Sequence, residues 1–395
     1  MSTPALSVNW RAAARIRHGH VWVYRSDLVG DDHLPPGSLV RVQDEAGKYL
    51  GTALYSSSSQ IALRMLASER LEPAGLVELL RQRLLAAIAY RERIVRDSDA
   101  CRLVFSEGDG LPGLIVDRYN DILSFQVLTQ AMDRDDIRAV VLRTLLEPLH
   151  PAAVVERVEP RIRQLEQLPP QEEGLRHGEK TSTIFTMNGV RFQFHALAGQ
   201  KTGAFLDQRE NYAAAAQYAR GEALDMFCYQ GGFALHMARV CAHVTAVDSS
   251  RPALEIAERN EELNAGAHAG REIEWIEANA FDLLKDYATA GRQYDTIVLD
   301  PPPFAKSHKA LPTALRGYKE LNLRALKMLR PGGALVTCSC SFHVGEEDFL
   351  EMLRAAAFDA RKSPKIIERR GQARDHPVLL AVPETAYLKC VILTL

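Results

Sequence analysis

Two cysteines in the last quarter of the chain are the first candidates for chemistry. Cys338 and Cys340 are two residues apart, so in an extended strand their side chains would share a face. A thiolate with a locally lowered pKa is a strong nucleophile. Its addition to carbon 6 of a pyrimidine would make carbon 5 reactive towards an alkyl donor. The alternative is that both are small core side chains, which is common for cysteines in strands.

A second candidate motif runs from Asp300 through three prolines to Phe304. Prolines stiffen the loop, the carboxyl group can hydrogen-bond the edge of a nucleobase, and the phenyl ring can stack on its face. The alternative is a rigid surface turn. We favour function, because the motif follows a predicted strand in the same half of the sheet as the glycine turn described next.

The stretch Leu224–Ala238 (LDMFCYQGGFALHMA) predicts a buried strand, a turn at Gly231 and Gly232, and a helix. This combination forms the ligand-binding corner of a doubly wound sheet. Asp248 ends the next predicted strand, where an acid suits hydrogen bonds to ribose hydroxyls. An NAD enzyme would use similar parts, but this strand–turn–helix stretch lacks the G-x-G-x-x-G fingerprint.

Strands and helices alternate from Gln208 onward, which predicts a Rossmann-like α/β domain with a parallel sheet. The predicted strands are Ala223–Phe227, Val244–Asp248, Ile273–Ile276, Thr296–Asp300 and Ala334–Cys338, followed by an antiparallel pair, Val378–Val382 and Tyr387–Leu395. Ligands of such sheets bind outside the carboxyl ends of the strands. The candidate residues therefore converge on one edge.

Short strands precede this domain. The hairpin pattern of Ser38–Tyr55 and the strand pattern of Ile61–Leu66 predict a small β-barrel, and a helix follows over Gly75–Asp97. Residues 1–30 carry four arginines with Trp10, Trp22 and Tyr24. This suits RNA binding, or a core of aromatic rings with solvated arginines, and both readings stay open.

Residues 101–195 predict a second small α+β unit of strands around the helix Asp135–Leu146. The hairpin Ile184–Phe194 turns at Asn188-Gly189, and Pro169–Glu179 is predicted to be a loop. The predicted domains are a PUA-like β-barrel over 1–70, a linker helix with an α+β (EEHEE) domain over 71–190, and the Rossmann-like domain over 191–395.

Composition narrows the classes of function. The chain has 395 residues, 47% hydrophobic and 25% charged, with a formal net charge of −2, which argues against a globally basic nucleic-acid binder. No apolar run reaches the ~20 residues of a membrane span, and the first residues lack a secretory signal. Six scattered cysteines without a CxxC motif predict reduced thiols, no metal site and a cytoplasmic location.

Several motifs together resemble one family. They are GQKTGAFLDQREN (Gly199–Asn211), LDMFCYQGGFALHMA, VDSS (Val247–Ser250), LDPPPFAKS (Leu299–Ser307) and TCSCS (Thr337–Ser341), with EGDGLPGLIVDRY (Glu107–Tyr119) and DHPV (Asp375–Val378). As a set they resemble the RlmI-type 23S rRNA large-subunit methyltransferases, and the match covers nearly the whole chain. The resemblance implies a cytosine-5 enzyme that uses S-adenosyl-L-methionine and has a PUA, a middle and a Rossmann-like domain.

The resemblance also implies roles for individual residues. Cofactor contacts would come from Gln208, Asp225, Phe227, Tyr229, Gly231, Asp248, Ser249, Asn279, Asp300 and Pro301, substrate contacts from Lys201, Arg209, Pro302 and Phe304, and catalysis from Cys340 and Asp300, with Cys338 as the competing nucleophile. Asn279 stands where methyltransferases often place an Asp that accepts from the adenine amino group, and its side-chain oxygen could accept instead.

The expected partner is RNA, either 23S rRNA or a large-subunit precursor, in a flipped or single-stranded form. Assembly as a homodimer is left open, and no membrane contact is expected. One rival is an RNA methyltransferase acting on a base nitrogen, which needs no cysteine. Less favoured rivals are an RNA-binding assembly factor with a vestigial cofactor fold and a small-molecule methyltransferase.

Overall fold

The structure is a computed structural model that describes residues 3–30, 33–197, 204–268, 272–305 and 307–395. It forms two compact units. The first unit comprises Met1–Phe185, Phe194–Ala204 and Arg374–Thr385, and the second comprises Thr186–Gln193, Phe205–Ala373 and Ala386–Leu395. The division into three domains stays a prediction. Across the described residues, no helix is long and apolar enough to cross a membrane.

The first unit begins with a six-stranded, barrel-like sheet in the order β2-β6-β5-β4-β1-β3. Its elements are β1 (Ala5–Val8), α1 (Trp10–Arg17), β2 (Trp22–Tyr24), β3 (Leu28–Val29), β4 (Leu39–Asp44), β5 (Tyr49–Tyr55) and β6 (Ile61–Ala67). Alternate side chains such as Val40 and Val42 are buried in its core, as the period of a strand requires. The predicted small β-barrel is confirmed.

The N-terminal basic and aromatic residues agree in part with the RNA-binding interpretation and in part with the interpretation as core residues. Trp10 is 67% exposed, whereas Trp22 and Tyr24 are half-buried. Arg15 pairs with Asp27, and Arg17 lies 2.5 Å from a carboxylate oxygen of Asp44. Arg15 and Arg17 therefore make ion pairs inside the unit, and Trp10 is the most exposed of the three rings.

A second sheet in this unit has the order β11-β10-β9-β8-β7. Its elements are α2 (Pro73–Ile94), β7 (Ala100–Phe105), β8 (Leu114–Tyr119), β9 (Ile122–Val127), α3 (Asp135–Leu149), β10 (Ala153–Glu156), α4 (Pro160–Leu165) and β11 (Gly174–Gly178). Leu76, Leu80 and Leu84 recur every four residues on the buried face of α2.

The predicted loop Pro169–Glu179 is wrong in part, because β11 lies within it and pairs antiparallel with β10. β11 is an edge strand with the sequence GLRHG, and none of its residues is fully buried. A strand of this kind lacks the apolar alternation that marks a half-buried strand. Next, β12 (Ser182–Met187) and β13 (Val190–His195) form the predicted hairpin. Asn188 and Gly189 both have positive φ, as a type I′ turn requires.

The second unit has a seven-stranded sheet in the order β16-β15-β14-β17-β18-β20-β19. Its elements are α5 (Arg209–Tyr218), β14 (Glu222–Met226), α6 (Gly232–Met237), β15 (His243–Asp248), α7 (Arg251–His268), β16 (Glu272–Glu277), α8 (Ala280–Thr289), β17 (Tyr294–Leu299), α9 (Leu311–Met328), β18 (Leu329–Ser339), α10 (Glu346–Ala360), β19 (Lys365–Arg370) and β20 (Lys389–Thr394).

β14 to β18 are parallel, and β20 enters antiparallel between β18 and β19. The strand order reverses between β14 and β17, which is where doubly wound sheets bind their ligands. The predicted α/β class and parallel sheet are therefore confirmed. One buried core, which includes Leu224, Leu299 and Phe349, packs α8, α9 and α10 against this sheet.

The predicted terminal strand Val378–Val382 is wrong. Within it, Leu379 and Val382 form only an isolated bridge, and Leu380 is 99% exposed. The partner of β20 is instead β19, an edge strand whose sequence KIIERR carries charges at both ends. The apolar residues in 378–382 predict a strand that does not form. The charged residues of β19 do not have the apolar pattern from which a strand would be predicted.

Candidate active site

The carboxyl ends of four parallel strands bring the predicted acids and cysteines to one edge of the second unit. Met226 of β14 lies between Val247 of β15 and Leu299 of β17 in the strand register, and Leu299 lies beside Thr337 of β18. Asp248 ends β15, and Asp300 follows β17 directly. Cys340 follows β18 directly. The predicted convergence of these side chains at one sheet edge follows from the register.

The turn after β14 contains unusual backbone. Phe227, Tyr229 and Gly231 have φ angles of 68°, 49° and 85°, in the left-handed region. Each non-glycine residue there costs about 1–2 kcal/mol. Gly232 is also constrained, because a Cβ atom at this position would lie 2.4 Å from Cζ of Tyr212. Strain concentrated at one turn is typical of ligand sites.

Asp225 is the most unusual group at this edge. Its side chain is fully buried, and neither carboxylate oxygen meets a donor at good hydrogen-bond geometry, although the backbone N–H of Ala234 is close enough to act on the pKa of the carboxyl group. Burial, followed by the charge of Asp300, raises the pKa of Asp225 well above its usual range. A buried carboxyl group without a partner is costly unless a ligand supplies one. The ammonium group of a bound methionine moiety fits this requirement.

Asp248 is built into the turn. Its Oδ2 accepts from the N–H of Tyr229 at 2.9 Å, and its Oδ1 accepts from the N–H of Ser250 at 2.9 Å. Each oxygen has a second lone pair, so the carboxylate can still accept from ribose hydroxyls. Ser249, between these residues, is exposed.

Asn279 is used differently from the sequence-based expectation. It caps α8, and its side-chain oxygen accepts from the N–H groups of Phe281 at 2.9 Å and Asp282 at 3.3 Å. The oxygen expected to accept from an adenine amino group is thus engaged by the helix. The amide NH₂ group of Asn279 could contact a ligand only as a hydrogen-bond donor.

Asp300 is held in a polar network on the other side of the turn. Nε2 of Gln208 donates to Oδ1 of Asp300 at 2.9 Å, and Oε1 of Gln208 accepts from Nδ2 of Asn211 at 2.7 Å. Burial, then the charge of Asp207, raises the pKa of Asp300 to about 7, while the Gln208 hydrogen bond acts in the opposite direction. Near neutral pH this carboxyl group can therefore donate as well as accept a hydrogen bond.

The two cysteines differ sharply. Cys338 is fully buried in β18 opposite Cys390 of β20, and burial, then this second thiol, raises the pKa of Cys338 well above its usual range. Cys340 is partly exposed, and its Sγ lies 3.9 Å from the carbonyl oxygen of Pro301. Because β18 ends at Ser339, Cys340 does not continue the alternation of the strand. Only Cys340 combines partial exposure with a position beside the Asp300 motif.

The predicted substrate residues are dispersed. Lys201 lies outside the described residues, and Arg209 is only 2% exposed, so it packs inside the unit. Pro302 is exposed, whereas the ring of Phe304 packs on Tyr318 at 4.7 Å between centroids. A cleft of 680 Å³ lies beside the motif and is lined by Phe281, Pro302, Pro303, Phe304, Thr313, Ala314 and Gly317.

Two residues at this edge were not predicted from the sequence. The hydroxyl of Tyr387 donates to Oδ2 of Asp207 at 2.5 Å, and Nζ of Lys389 donates to the carbonyl oxygen of Ser341 at 2.7 Å. Lys389 could have been identified from the sequence, because it is a charged residue at the start of an otherwise apolar strand, β20. Among the described residues, no group of three or more His, Cys, Asp or Glu side chains is placed to hold a metal ion.

Comparison with known proteins agrees with this geometry. Residues 6–68 match the PUA-like domain family, and residues 126–393 match the S-adenosylmethionine-dependent methyltransferase family. Proteins named ribosomal RNA large subunit methyltransferase I are similar over nearly their whole length. The one from Photobacterium profundum is 36% identical over 95% of both chains, and one from Vibrio cholerae is 35% identical over 98% of both.

Solved structures share the fold. A candidate S-adenosylmethionine-dependent methyltransferase from Streptococcus mutans superimposes with a TM-score of 0.83 at 18% identity over 100% of both chains. A candidate methyltransferase solved with SAH gives a TM-score of 0.85, also at 18% identity and full coverage. S-adenosylmethionine is the cofactor, and the buried Asp225, the strained turn and Asp248 fit it. The chain belongs to the S-adenosylmethionine-dependent methyltransferases, in the family of the proteins named ribosomal RNA large subunit methyltransferase I.

Proposed function

We propose that the protein methylates carbon 5 of a cytosine in large-subunit (23S) ribosomal RNA through a covalent adduct with Cys340. The observation that carries the proposal is the partly exposed thiol of Cys340 beside the loop that follows Asp300, at the cofactor edge of the sheet. The names of the full-length relatives support ribosomal RNA as the substrate. The PUA-like sheet supports an RNA-contacting role for the first unit.

Three carboxyl groups have separate tasks in this scheme. Asp225 would hold the ammonium group of the cofactor and Asp248 its ribose, and the bound cofactor supplies a methyl group on a sulfonium. Asp300 would bind the cytosine. With its pKa near 7, Asp300 can donate a proton in a hydrogen bond to N3 of the ring, which makes carbon 6 more electrophilic.

Cys340 then acts as the nucleophile. Its Sγ forms a bond to carbon 6, and the electron pair of the C5–C6 double bond forms the bond from carbon 5 to the methyl group. The bond from the methyl group to the sulfonium sulfur would break, and its electron pair would stay on that sulfur as a neutral thioether. A base removes the carbon-5 proton and passes it to solvent, and the released electron pair restores the double bond and expels Sγ, which breaks the C–S bond and regenerates the thiolate. The enzyme ends the cycle unchanged.

Cys338 is a poor second choice for this role. It is fully buried, and its raised pKa keeps it as a thiol. Its contact with Cys390 is that of a core side chain. The two cysteines therefore provide matched substitutions at neighbouring positions.

The first test compares Cys340→Ala with Cys338→Ala on an rRNA substrate from cells that lack the gene. We expect Cys340→Ala to lose methyl transfer by at least a thousandfold, and Cys338→Ala to keep it within about tenfold. Mass spectrometry of nucleosides distinguishes 5-methylcytidine from N-methylated products. Full activity of Cys340→Ala, or a methyl group on a ring or amino nitrogen, would refute the covalent scheme and favour a nitrogen methyltransferase.

The second test identifies the substrate. Methylated cytosines are mapped in the rRNA of cells with and without the gene, and in free rRNA and large-subunit precursors treated with the purified protein. A site lost without the gene and restored in one of these substrates assigns the target. Cells whose rRNA methylation is unchanged would contradict the proposed substrate.

A further inference from the structure

Lys389 lies at the start of β20, opposite Ser339 in the register with β18. The four residues that follow it, Cys390 to Leu393, are buried, so the lysine side chain begins in an apolar environment. Burial of a single ammonium group is costly unless nearby groups compensate for the lost water. A charge at this position therefore needs an explanation.

Among the described residues, the hydrogen bonds of Nζ go to the loop after Cys340 and to the segment just before β20. Nζ donates to the carbonyl oxygen of Ser341 at 2.7 Å and to the carbonyl oxygen of Tyr387 at 2.8 Å. An ammonium group has three N–H donors, so a third remains for another acceptor. Ser341 is the residue after Cys340, so the amine is held against the loop that carries this thiol.

Electrostatics agree with this placement. Burial lowers the pKa of Lys389 to about 8, and the charge of Cys340 acts in the opposite direction. A negative charge on Cys340 therefore favours the charged form of Lys389. Other titratable groups around Cys340 are Asp300 at the end of β17, Tyr318 of α9, whose hydroxyl lies 2.9 Å from Oγ of Ser341, and the buried Cys338.

We propose that Lys389 is a positioning residue that holds Cys340 as a thiolate by forming an ammonium–thiolate pair with it. The proton leaves Sγ of Cys340 and binds the lone pair of Nζ, which turns a neutral thiol and amine into the ion pair. The inference rests on the proposed role of Cys340 as the nucleophile. It explains how a thiol can be reactive beside a carboxyl group whose charge would otherwise oppose ionisation.

The test is the alkylation of Cys340 by iodoacetamide between pH 5.5 and 9.5, measured by peptide mass spectrometry with Cys340→Ala as the blank. We expect Lys389→Met to raise the midpoint by one unit or more, which slows alkylation at pH 7 by about tenfold or more. Lys389→Arg should keep the low midpoint, because its guanidinium remains charged. Lys319→Met is the matched control, since Lys319 pairs with Asp359 elsewhere on the second unit.

An unchanged midpoint in folded Lys389→Met would overturn the inference. Thermal unfolding and S-adenosylmethionine binding establish whether that variant folds. If that variant does not fold, the thiolate absorbance near 240 nm is compared between the unmodified protein and Cys340→Ala at pH 7. We expect the unmodified protein to absorb more, because it contains the Cys340 thiolate. Equal absorbance of the two proteins would overturn the ammonium–thiolate pair. A shifted midpoint without any 5-methylcytidine refutes only the proposed function, whereas Cys340-dependent methylation with an unmoved midpoint refutes only the pair.

Discussion

Replacing Asp300 by asparagine should stabilise the protein while it removes methyl transfer. The carboxyl group has a pKa of about 7 in the folded protein against its usual 3.8. Between these two values the folded state keeps a proton that the unfolded state releases. Stability therefore falls as pH rises through this window, and the full penalty is present above pH 7.

The size of the effect follows from that difference. About three pKa units correspond to ~4 kcal/mol at most, and partial access of the side chain to solvent reduces this to about 2–3 kcal/mol. For a unit of this size, each 1 kcal/mol shifts the melting temperature by roughly 2–4 °C. The Asp300→Asn variant should thus melt roughly 4–12 °C higher than the unmodified protein at pH 8, without cofactor.

The assay is thermal unfolding at pH 5 and pH 8, with Asp286→Asn, an exposed position on α8, as the control. The gain should be less than half as large at pH 5, because only about 40% of the penalty has developed there. An Asp300→Asn variant that melts no higher at pH 8, or gains equally at both pH values, would show that Asp300 is not held protonated by its surroundings.

Two further predictions concern the same unit. Gly232→Ala places a Cβ atom 2.4 Å from Tyr212, so it should cost about 1–3 kcal/mol of stability and weaken S-adenosylmethionine binding in calorimetry. Adding Tyr212→Ala should recover part of the binding, and no effect of Gly232→Ala would contradict the packing described. Burial lowers the pKa of His236 to about 4, so stability should be lost as pH falls from 6.5 towards 4, by up to ~3 kcal/mol. His236→Gln should flatten that part of the melting-temperature profile, and a variant that follows the wild-type profile would contradict it.

Most of the second unit could be predicted from the sequence because its elements are marked by short, continuous sequence patterns. Apolar strands, the glycine turn and the acids at strand ends each occupy a few consecutive residues, and a parallel sheet necessarily brings its carboxyl ends together. The turn at Asn188-Gly189 was predictable for the same reason, since both residues tolerate positive φ. The order in which the strands pair is set by contacts between distant residues.

The sequence patterns did not predict features that depend on contacts between residues far apart in the chain. β11 and β19 are edge strands with polar faces, so their sequences lack the alternation used to find strands. Which cysteine is accessible depends on where β18 ends, one residue before Cys340, and on Cys390 packing from another strand. The capping role of Asn279 also required the observed start of α8.

The position of β20 between β18 and β19 has a consequence for the order of assembly. β19 has no place in the sheet until β20 has been synthesised, because it pairs with β20 and not with β18. Until then β18 presents an unpaired edge next to the cysteine loop, and Lys389 has not yet reached Ser341. The surroundings of the proposed nucleophile are therefore complete only once β20 has joined the sheet, whereas β14, which leads into the cofactor turn, pairs with β15 and β17 and does not depend on β20.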